Sequence, residues 1–135
     1  MVEAASGIVI RYDYLWAHQA DRGEESGRKD RPCCVHVMIR KPDGSAISAL
    51  FPITSRPDAS RIAIEIPDTE LRRIGLSVTS WVIVDEWNLD DLSESPYVAD
   101  PRPLGAFSTA FMRRIQTHAA KAIRSRAYRS IPRPR

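Results

Sequence analysis

Only two cysteines occur in the 135 residues, and they are neighbours, Cys33 and Cys34. Successive side chains of a strand point to opposite faces, so this pair cannot form an ordinary structural bridge. A chain without a disulfide framework is expected in the reducing cytoplasm. No apolar run approaches the ~20 residues of a membrane span, and the start Met1-Val2-Glu3-Ala4 lacks the basic and then apolar pattern of a secretion signal. A soluble cytoplasmic protein with no membrane association is the expectation. Glycine-rich loops of the P-loop or dinucleotide type are also missing, which argues against an ATP- or NAD-dependent enzyme. His18, His36 and His118 are scattered, with no cysteine or carboxylate at ligand spacing. Neither a metal nor a cofactor is therefore expected.

Acidic residues are absent from one end. Residues 104–135 hold 8 Lys/Arg and no Asp/Glu, whereas residues 1–103 hold 12 Lys/Arg against 17 Asp/Glu, a net of −5. A basic end of this kind neutralises phosphates, or else forms a solvated face that balances an acidic body. The length suits one domain that buries about two-thirds of the surface of its unfolded chain.

What is present reads as short strands and a long terminal helix. Gly7 to Tyr14 is β-branched and aromatic, typical of a first strand. Leu15 to Asp30 is polar, carries Gly23 and Gly27, and reads as a long mobile loop. Cys33 to Arg40 and Ala46 to Ile53 flank Lys41-Pro42-Asp43-Gly44-Ser45, a turn signal, and so predict a hairpin. Arg61 to Ile66 alternates as a half-buried strand, Pro67-Asp68-Thr69 opens a short helix stopped by Gly75, and Ser80 to Glu86 reads as a buried strand. Phe111, Ile115, Ala119, Ala122 and Ile123 recur at helical spacing within Phe107 to Arg126. One domain over 1–128 is expected, with a strand region at about 7–103, a helix at about 107–126 and a flexible basic tail at 129–135. Short strands followed by a helix suggest a small bent sheet or barrel with helices at its side.

Two strand ends hold the chemistry. Arg31 precedes Pro32 and is thereby pushed toward an extended conformation at the start of one hairpin strand, while Pro52-Ile53-Thr54-Ser55 ends the other. The outer ends of an antiparallel hairpin lie side by side. A guanidinium and a hydroxyl meeting there would cradle a phosphate, because the fork of arginine donors matches two phosphate oxygens at once.

The series Gly7-Ile8-Val9-Ile10, Arg31-Pro32-Cys33-Cys34-Val35, Pro52-Ile53-Thr54-Ser55 and Trp81-Val82-Ile83-Val84-Asp85-Glu86 resembles the MazF/PemK toxins of toxin-antitoxin systems in order and spacing. The resemblance implies a mostly β fold, an SH3-like (MazF/CcdB-type) small barrel with the long C-terminal α-helix beside it. It also implies a homodimer, a cognate antitoxin, and a metal-independent endoribonuclease activity on single-stranded RNA that leaves 2′,3′-cyclic phosphate and 5′-hydroxyl ends. Carried onto this chain, the catalytic pair is Arg31 and Thr54. Arg28, Lys29, Ser55 and Arg56 are expected to position phosphates, and Trp16 to stack on a base. Alternatives stay open: a barrel that inhibits a protein target such as gyrase, or a non-catalytic nucleic-acid binder. Residue by residue, the bland readings are a surface salt bridge from Arg31 to Asp30 or Glu25, a turn hydroxyl for Thr54, solvated loop carboxylates for Glu24 and Glu25, and a structural His36. Trp81 is expected in the core, Asp85 as a strand-end residue and Glu86 as its exposed neighbour, since adjacent residues of a strand face apart.

Overall fold

β-Branched and aromatic residues place Ile8–Tyr12 in β1. The computed structural model describes residues 3–27 and 29–134, so Arg28, expected to position a phosphate, lies outside the described residues. The order continues as α1 (Ala17–Asp21), β2 (Arg31–Arg40), β3 (Ala46–Thr54), β4 (Ala63–Glu65), α2 (Asp68–Arg73), β5 (Trp81–Ile83), β6 (Glu86–Asp91), β7 (Val98–Ala106), α3 (Thr109–Arg124) and β8 (Arg129–Pro132). The protein is mostly β, with three helices among the described residues. None of these helices is long and apolar enough to cross a membrane.

The central hairpin forms as its turn chemistry predicts. β2 and β3 pair antiparallel from Cys33 opposite Pro52 to Arg40 opposite Ala46. In the turn Gly44 takes φ +89° and Asp43 Oδ1 accepts the Ser45 N–H at 2.9 Å. Sheet order is β4-β5-β3-β2-β1-β7, with β6 pairing β3 and β8 pairing β6. β3 serves two partners on one side: Ile47 to Leu50 pair with β6, and Ile53 and Thr54 pair with β5. The change of partner falls at Phe51-Pro52, where proline has no N–H to give a ladder. Among the described residues β4 and β7 end the order without pairing, so the sheet is open where a closed barrel was expected.

Both faces of the sheet are covered. Val9, Cys34, Phe51 and Val82 pack against Phe111, Met112, Ile115 and Ala119 of α3 and Leu71 and Ile74 at α2. Ile10, Tyr12, Cys33, Val35 and Leu50 turn the other way onto Tyr14 and Leu92. The adjacent thiols thus enter different cores, as strand alternation requires. On α3 the apolar stripe is buried except Ile123, which is 40% exposed.

Three segments differ from the sequence reading. The loop 15–30 contains α1, because Leu15 and Ala17 pack on Ile131, a partner more than a hundred residues away. The expected strand Ser80 to Glu86 is broken into β5 and the start of β6, and Trp87 rather than half-buried Trp81 fills the core. Within the tail expected to be flexible, Arg129–Pro132 forms β8, parallel to β6. Arg133 beyond it is 7% exposed. Its guanidinium lies 3.6 Å from the Tyr97 ring centroid and donates to the carbonyls of Asp13 and Glu25. The C-terminal segment is therefore a strap across the first loop.

Burial raises the pKa of four core groups and so suppresses their ionisation. The thiols of Cys33 and Cys34 are pushed up by desolvation. So are the phenols of Tyr12 and Tyr14, each aided by the neighbouring carboxylate, Asp90 and Glu86 respectively. Unfolded thiols and phenols release protons near pH ~8.5 and ~10, while the folded protein holds them. The unfolded state then binds fewer protons, so this stabilisation is complete below pH ~8.5 and is lost as pH rises, by up to about 1.4 kcal/mol per pH unit for each group. The urea midpoint is expected to drop between pH 8.5 and 11; a constant midpoint over that range contradicts the assignment.

Candidate active site

The hairpin register brings Arg31 and Thr54 to one end of the sheet. Arg31 lies two residues outside Cys33 and Thr54 two outside its partner Pro52, so period-2 alternation returns both to one face. Both line two adjoining cavities, of about 500 and 510 Å3, which also share Arg56. The pair forms the ridge between them.

Arg31 is held but not neutralised. Its guanidinium carbon sits 4.9 Å from the Trp16 ring centroid, a cation–π contact. Its Nε is buried with no hydrogen-bond partner among the described residues. Asp30, the alternative partner suggested by sequence, pairs with Arg11 instead. Among the described residues Arg31 makes no ion pair. Thr54 Oγ1 accepts the Arg56 N–H at 3.1 Å, the turn role that stood as its bland reading, and a hydroxyl that accepts can also donate its proton to a ligand.

The first cavity is walled by α1 and the strap. Trp16 stands before α1, its N–H donating to Gln19 Oε1 at 3.0 Å and its ring edge-on to Tyr14 at 5.0 Å. Trp16, expected to stack on a base, carries the Arg31 guanidinium over its ring. His18 is exposed and Arg129 is tied to Asp21 at 2.7 Å; both line this cavity.

Beneath lies a buried ionic network that the sequence reading missed. Glu86, expected to be exposed, is 3% exposed. One oxygen, Oε2, accepts the Tyr14 hydroxyl at 2.9 Å and the Ala17 N–H at 3.0 Å; the other takes the Arg61 guanidinium. Asp85 Oδ1 lies 3.4 Å from Arg61 Nε. The two acids converge on one arginine because the chain breaks between β5 and β6, which cancels the alternation assumed for a continuous strand. No local signal marks this network, since Tyr14 and Glu86 are 72 positions apart.

Lys29, Ser55 and Arg56 line the second cavity with Val78 and Ser80. Neither Glu24 nor Glu25 lines either cavity. His36 is structural: it stacks on Phe51, and burial lowers its pKa.

Fold and site together define a mostly β protein with an arginine and a hydroxyl set between two cavities. Comparisons with family models, with curated proteins and with solved structures find no match for this chain.

Proposed function

We propose that the protein is a MazF/PemK-like endoribonuclease toxin that cuts single-stranded RNA without a metal. One observation carries this reading. Arg31, anchored on Trp16 and without an ion pair among the described residues, lines together with Thr54 a cavity open to solvent. The forked donors of such a guanidinium match the oxygens of a phosphate.

In the proposed reaction the ribose 2′-oxygen attacks phosphorus, the 2′-proton is lost, and the bond to the 5′-oxygen breaks as that oxygen gains a proton. The products are a 2′,3′-cyclic phosphate and a 5′-hydroxyl. Arg31 stabilises the charge that builds on the non-bridging oxygens. Thr54 holds one of those oxygens by donating its hydroxyl. A guanidinium keeps its proton and is a poor base, so Arg31 acts as a donor.

On this reading the hairpin and its neighbouring strands stand for the small barrel of that family in open form. A cognate antitoxin and a second copy of the chain are the protein partners in a cytoplasmic setting. Met38 and Ile123, 44% and 40% exposed and lining one small hollow between β2 and α3, support a protein partner there.

Incubation of the chain with mixed single-stranded RNAs in excess EDTA is expected to give fragments with cyclic-phosphate and 5′-hydroxyl ends. Salt-sensitive binding without cleavage would point to a nucleic-acid binder using the basic α3. Capture of a topoisomerase without cleavage would point to a target-inhibiting toxin.

A further inference from the structure

The second cavity holds an exposed cation of its own, Lys29, beside Arg56, which both cavities share. Arg61 and Arg129 of the first cavity are committed to Glu86 and Asp21, and Arg11 of the second to Asp30. Lys29 and Arg56 make no ion pair among the described residues, and both are exposed. Opposite them the wall is apolar: Ile53, Leu76 and Val78. Val78 is 62% exposed. It sits in a fixed turn, its carbonyl accepting the Ser80 hydroxyl at 2.8 Å. An apolar wall facing free cations, next to an anion cradle, suits a nucleotide, which has a flat apolar face and a charged backbone. The cavity volume of about 510 Å3 falls within the range of small-ligand sites, about 300–1,000 Å3.

We infer that the second cavity is a nucleotide subsite for single-stranded RNA, in which the base of the residue flanking the cleaved phosphate rests on Val78 and Leu76, and Lys29 and Arg56 hold the next phosphate. This rests on the ribonuclease reading. The strand crosses the Arg31–Thr54 ridge with its cleaved phosphate there, and the second cavity reads one neighbour. Base preference at that position is set by the Val78 wall rather than by the catalytic pair.

The test is an abasic scan: a short cleavable RNA carrying one abasic nucleotide at each position around the cut, compared in the unmodified chain and in Val78→Asp. Val78 is a surface side chain, so folding is expected to be unaffected, and thermal melting verifies this. In the unmodified chain one abasic position next to the cut is expected to lower kcat/KM about tenfold. Val78→Asp is expected to lower kcat/KM on intact RNA by a similar factor and to erase the difference between intact and abasic substrate. Lys29→Ala is expected to reduce the slope of log affinity against log salt by about 0.7. An abasic profile unchanged by Val78→Asp, with cleavage intact, overturns the subsite and leaves the ribonuclease standing. Should the chain cleave no RNA, the ribonuclease reading fails. The subsite is then judged by fluorescence anisotropy with a 2′-deoxy oligonucleotide: weaker binding by both variants upholds it as a nucleic-acid site, and unchanged binding overturns it.

Discussion

Arg31→Ala is expected to lower RNA cleavage by about 10²–10³-fold, the loss typical of removing one preorganised donor from a developing anion. The fold should survive. Arg31 stands at the first residue of β2 and makes no ion pair among the described residues, so its main structural loss is the contact with Trp16, about 1 kcal/mol. Arg31→Lys is expected to recover little, because an ammonium is a point charge and cannot match two phosphate oxygens as the fork does. Thr54→Ala should cost less than Arg31→Ala, since it removes one hydroxyl and one turn hydrogen bond. The measurement is single-turnover cleavage with the melting temperature determined on the same samples. A folded Arg31→Ala chain that cleaves at the original rate rejects the site.

Glu86→Ala is expected to have the largest effect on stability, about 3–5 kcal/mol, the range for breaking a buried ion pair on one side. The carboxylate satisfies three donors at once: the Tyr14 hydroxyl, the Ala17 N–H and the Arg61 guanidinium. Its removal leaves Arg61 with the Asp85 and Asp58 carboxylates nearby and takes from two buried donors the acceptor they use. Glu86→Gln keeps an acceptor but loses the charge, and should fall between the two. Urea denaturation followed by Trp fluorescence reads both variants. A midpoint unchanged in Glu86→Ala would mean that water and Asp85 replace the carboxylate at no cost. The same network ties Ala17, at the start of α1, to β6, so cleavage should weaken along with stability as Trp16 loses its fixed place against Arg31.

These two residues also mark what was legible in advance. Arg31 was, because its signals are local: a proline that extends the residue before it, and a five-residue turn that sets the hairpin register. The pairing of Cys33 with Pro52 also needs the register shift between Val37 and Ile39, which moves the pairing by one from that set at the turn and so returns Arg31 and Thr54 to one face. Glu86 was not legible. Its partners come from positions 14, 17 and 61, and its burial depends on the break between β5 and β6, which an apolar run from Trp81 to Val84 conceals. The tail failed for a related reason. Ile131-Pro132-Arg133-Pro134-Arg135 has the composition of a loose end, yet Ile131 finds Leu15 and Ala17, and Arg133 finds two aromatic rings and carbonyls of the first loop.

The sequence by itself determined the strands of the central hairpin, the opposed directions of Cys33 and Cys34, the amphipathic α3 and the nearness of the hairpin's outer ends. All of these depend on periodicity and turn chemistry within a few tens of residues. Only the tertiary structure decided that the sheet stays open, that a helix stands in the first loop, that the C-terminal segment straps it down, that a register shift in the hairpin turns Arg31 and Thr54 to one face, and that these two residues line both cavities. Those outcomes depend on which distant surfaces and charges satisfy one another, and the energy of such contacts has no local imprint on the chain.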